Sequence, residues 1–99
     1  MAYESNALNA TLAAAAGENA ELQQELRSAF LDSVERQADL LSRARCDGNW
    51  EMAALRLRAI AASFHADDLI SLADQALEGA PGEPGIVRSI RGLVAEMRG

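Results

Sequence analysis

The chain has no lysine, one histidine, one cysteine and four aromatic side chains among its 99 residues. A lone cysteine, Cys46, closes no disulfide within the chain. Its isolation excludes the small disulfide-stapled secreted scaffolds and every multi-cysteine zinc site. Positive charge is short as well: nine arginines face fifteen acidic residues, for a net charge of −6. That balance argues against nucleic acid as a partner, because binding phosphates needs a basic footprint. No stretch approaches the roughly 18 apolar residues of a membrane span. The acidic opening Met1-Ala2-Tyr3-Glu4 also lacks the basic region of a signal peptide. The expectation is a cytoplasmic chain with no membrane partner. Valine, isoleucine and threonine, the residues that fit pleated sheets, are few.

What remains is helix-forming. Alanine and leucine fill about a third of the chain, and 49% of it is apolar, enough for an ordinary core. The length suits one domain over 1–99. Breakers at Gly17-Glu18-Asn19, Cys46-Asp47-Gly48-Asn49, Phe64-His65 and Gly79 to Gly85 divide it into five pieces. The first, Asn6 to Ala16, is a short alanine-rich helix with Leu8 and Leu12. The second, Asn19 to Ala44, places Leu22, Leu26, Phe30, Val34, Ala38 and Leu41 on one face, with Asp47-Gly48 as a stop and Asn49 as the next cap. The third, Trp50 to Phe64, buries Trp50, Ala53, Ala54, Leu57, Ile60, Ala61 and Phe64. The fourth, Ala66 to Glu78, turns Leu69, Leu72, Ala73 and Ala76 inward behind Asp67 and Asp68. The fifth, Glu83 to Arg98, opens on Pro84 and carries Ile86, Ile90, Leu93, Val94 and Met97. The predicted fold is all-α, an antiparallel four-helix bundle with a short extra N-terminal helix.

One residue disagrees with its stripe. At about 100° per residue, Leu55 lies about 160° from the centre of the stripe formed by Trp50, Leu57, Ile60 and Phe64. It is therefore expected to face outward, with Met52, Ala59 and Ala62 beside it and Arg56 and Arg58 at the edges. An outward apolar patch rimmed by arginines suits a docking surface. The alternative is an ordinary exposed leucine, or one covered by the first helix.

The run from Trp50 through Phe64, His65 and Ala66, followed by Leu69, Leu72, Ala73, Leu77 and Glu78, resembles the histidine phosphotransfer (HPt) domain. Upstream, the resemblance extends through Gly17-Glu18-Asn19, Leu26, Phe30 and the region from Leu41 to Gly48. The family carries phosphoryl groups between histidine kinases and response regulators in bacterial two-component phosphorelays. Its pattern is a phosphoacceptor histidine, then leucine two places on, lysine three on and glycine four on, with a later glycine near the helix end. This chain has Leu55 in place of the histidine and Leu57 in the leucine position. Arg58 stands for the lysine, Ala59 for the first glycine and His65 for the second. Leucine has no lone pair with which to take up a phosphoryl group, so the family's reaction is not expected at Leu55. The resemblance then implies a binding module, not an enzyme, that docks a receiver domain or a histidine kinase through Met52, Leu55, Arg56, Arg58, Ala59 and Ala62.

Other groups point to less. His65, the single histidine, is the only alternative phosphoacceptor, and otherwise a residue at a helix junction. His65 with Asp67 and Asp68 falls short of a metal site, which gathers ligands from separate elements. Cys46 and Ser63 have no partner set for nucleophilic catalysis. The segment Gly79 to Gly85 reads as a turn, not a phosphate loop. No cofactor is expected. A structural bundle that dimerises through Met52, Leu55 and Ala59 is a further alternative.

Overall fold

Helix propensity and apolar spacing produce five helices in the computed structural model, which describes residues 6–99: α1 (Asn6–Ala16), α2 (Ala20–Arg43), α3 (Asp47–Ser63), α4 (Asp67–Leu77) and α5 (Pro84–Arg98). The opening Met1 to Glu4 lies outside the described residues. Among those described there is no strand, and no helix is long and apolar enough to cross a membrane.

The ends of the helices have local causes. Gly17 closes the last helical hydrogen bond of α1, its N–H donating to the Ala13 carbonyl at 2.8 Å, and its φ of 65° then turns the chain out of the helix. The Asn19 side chain then caps α2 by accepting the Leu22 N–H at 3.0 Å. Pro84 opens α5, where its missing N–H costs nothing. The α3–α4 corner is a Schellman motif. The N–H of His65 donates to the Ala62 carbonyl at 3.1 Å, and that of Ala66 reaches back to Ala61 at 2.8 Å.

The α2–α3 connection differs from the sequence expectation. Asp47 and Gly48 do not stop α2; they form the first turn of α3, so the link is only Ala44 to Cys46. Asn49 is correspondingly inside α3, and the cap position belongs to Cys46, whose side chain makes no cap bond. An aspartate suits a helix's first turn as well as a turn before it, because the positive end of the dipole attracts it.

Each helix contributes to one buried cluster. α2 lies against α1, α3 and α5, while α4 packs on α3 and α5, so the contacts among α2, α3, α4 and α5 close a cycle. Phe30 of α2 and Phe64, which follows the last residue of α3, meet with ring centroids 4.7 Å apart. The buried Trp50 indole donates to the Ala76 carbonyl near the end of α4 at 2.7 Å. At the surface, Arg98 of α5 reaches both Asp32 at 2.7 Å and Glu35 at 3.0 Å on α2. Hydrogen bonds to Glu35 first and Asp32 second hold its guanidinium above the ordinary arginine value.

Several expected core positions are shallower than their spacing implied. Leu22 is exposed, and Leu26, Ile60, Phe64, Leu72, Ile86 and Met97 are only partly buried. Leu31 and Val87 are buried in addition. With three neighbours, α2 buries a wider arc than the stripe one neighbour requires, and that arc takes in Leu31.

Candidate functional site: the outer face of the third helix

The inward stripe of α3 is set by Trp50, Ala53, Ala54, Leu57 and Ala61, all buried. Fixing that stripe fixes the opposite face. Leu55 is 49% exposed and Met52 52%, two of the four exposed large hydrophobic side chains among the described residues. Ala59, Arg56 and Arg58 are exposed with them, whereas Ala62 is half-buried and sits at the margin of the patch. α1 packs on α2 and leaves Leu55 open to solvent.

The two arginines occupy different edges. Arg58, on the α4 side, is held by Asp74, with Nε 2.6 Å from the carboxylate. Both side chains are about half exposed, so solvent screens the pair and its contribution to stability is small. Its geometric effect is to tie the guanidinium to α4. Arg56, on the α2 side, has no acidic partner among the described residues. It lines a shallow groove between α2 and α3 with Leu40, Arg43 and Met52.

Leu40, 39% exposed, was not anticipated in this face. The signal was present: Leu40 lies about 100° around the helix from the buried Leu41, off the α2 stripe much as Leu55 is off that of α3. The Arg58–Asp74 pair had no sequence signal, because it joins residues on two different helices.

His65 lies beyond the end of α3 and is exposed, with φ 56°, the left-handed region where L side chains are disfavoured. The helix break expected at Phe64-His65 is this Schellman corner, so His65 does not share the α3 helix with Leu55. Ser63 donates its hydroxyl to the Ala59 carbonyl at 2.9 Å, within its own helix. Cys46 is exposed, and Asp67 and Asp68 occupy the first turn of α4. No three histidine, cysteine, aspartate or glutamate side chains among the described residues are placed to hold a metal ion. The chemistry this face offers is recognition: apolar contact area at the centre and guanidinium charge at its rim. No family model, curated protein or solved structure matches the chain.

Proposed function

We propose that this chain is an HPt-like phosphorelay signal-transduction domain without a phosphoacceptor. In this reading α2 to α5 form the antiparallel four-helix bundle of that family, with α1 as the extra helix. The module docks a response-regulator receiver domain, or a histidine kinase, in a bacterial cytoplasm through the outer face of α3. The carrying observation is Leu55, exposed at the centre of that face where the family would hold its reactive histidine. The closed cycle of contacts among α2 to α5 supports the bundle. A leucine there retains apolar contact area and removes the nucleophile, so the module occupies a partner without exchanging phosphate with it. Arginine at the rim complements the acidic surface expected around a receiver's phosphorylation site.

Two measurements test this reading. Leu55→Glu puts a charge at the centre of the contact and leaves the buried stripe of α3 intact. Stability is expected to change by about 0.5 kcal/mol or less. Affinity for the receiver domain is expected to fall at least about tenfold, equivalent to about 1.4 kcal/mol. Unchanged affinity overturns the assignment of the docking face. In the second, a phosphorylated receiver domain is mixed with the protein and the intact mass is read; the chain is expected to gain no phosphoryl group. A gain that disappears in His65→Ala replaces this reading with phosphotransfer through His65.

A further inference from the structure

The solvent face of α2 has a pattern of which the docking reading uses only Leu40, at one end. Leu22 and Leu40 are 38% and 39% exposed and stand nine residues either side of Leu31. Between them, Ala29 is exposed and Ser33 half-buried, two residues either side of the same point. At about 100° per residue these four fall within about 40° of one another, a straight seam about 27 Å long. Glu25 and Arg36, both exposed, share one edge of it. Neither has an ion-pair partner among the described residues; Arg36 only donates to its neighbour Ser33.

We propose that this seam pairs with the same seam of a second copy of the chain, α2 against α2 in antiparallel orientation, about a two-fold axis that crosses the seam at the height of Leu31, itself buried on the opposite side of the helix. In that orientation both the apolar seam and its charged edge are self-complementary. Leu22 meets Leu40 of the other copy at both ends, and Ala29 and Ser33 meet at the middle, where small side chains let two helices approach closely. In an antiparallel pair the same edge of each helix meets itself. Glu25 therefore faces Arg36 of the second copy, and the contact occurs twice. In a parallel two-fold pair each edge faces the opposite edge of the other helix, so Glu25 and Arg36 do not meet. This interface is distinct from a dimer through Met52, Leu55 and Ala59, and it does not rest on the phosphorelay reading. One helix pair is small by the standard of permanent dimers, so association is expected to be reversible and concentration-dependent.

Sedimentation across a concentration series tests this directly, with circular dichroism to check that each variant remains helical. The unmodified chain is expected to pass from monomer to dimer. Glu25→Arg and Arg36→Glu, each on its own, set like charges together twice per dimer and are expected to weaken self-association at least about tenfold. Mixed in equal amounts, the two variants are expected to associate with each other and recover most of the unmodified affinity. Leu40→Glu is expected to abolish the dimer. A chain that stays monomeric to about 1 mM overturns the proposal. So does a dimer that is indifferent to the charge reversals and lost in Leu55→Glu, which places self-association on α3.

Discussion

A histidine in a left-handed backbone position carries a cost that glycine avoids. An L side chain at positive φ is destabilised by roughly 1–2 kcal/mol, against which glycine gives back part as unfolded-state entropy. His65, at φ 56° in the α3–α4 corner, is such a residue. His65→Gly is expected to stabilise the protein by about 1 kcal/mol, seen as a rise in Tm of about 4–8 °C. A fall instead would mean that the imidazole makes a contact worth more than the strain. The same scale explains what the sequence disclosed of the site. Leu55 was legible as outward because one helix's phase decides it. The position of the Arg58 guanidinium was not, because Asp74, across the gap to α4, decides that.

At the scale of the element, apolar spacing located all five helices, and the ends were good wherever one residue type had a single meaning. Gly17, Asn19 and Pro84 each stand where their backbone or capping preference puts them. Asp47-Gly48 has two meanings, and the helix-opening one prevails. Spacing also overstated the depth of burial, since it identifies a face but not how many neighbours cover it. The two phenylalanines that join α2 to α3 separate these cases. Phe30 is 2% exposed, so Phe30→Ala is expected to cost about 3–5 kcal/mol in denaturant unfolding. Phe64 is only partly buried, and Phe64→Ala is expected to cost clearly less. Equal losses would show that the ring contact, which both substitutions remove, outweighs burial.

For the whole molecule, the order of helices and the arginine-rimmed face are what the proposed docking function requires, and the missing imidazole is what it omits. Under the proposed reading, phosphotransfer at position 55 is expected to need more than one substitution. Leu55→His supplies a nucleophile, but Arg58 still stands where the family resembled has lysine, and Ala59 still adds a methyl where it has glycine. The triple variant Leu55→His, Arg58→Lys, Ala59→Gly is expected to accept phosphate from a phosphorylated receiver domain better than Leu55→His alone, read by intact mass. Equal transfer by the two would show that position 55 alone limits the reaction.

The indole of Trp50 gives the folded chain its own reporter. It is the one tryptophan in the sequence, 3% exposed, with its N–H held by a carbonyl near the end of α4. Its fluorescence is therefore expected to be blue-shifted in the native protein and to move to longer wavelength when α3 and α4 part. Because Trp50 lies on the inward stripe, opposite Leu55, a partner seated on the outer face leaves that emission nearly unchanged, whereas loss of the core does not. A single optical signal can thus tell a binding event from unfolding in the same cuvette.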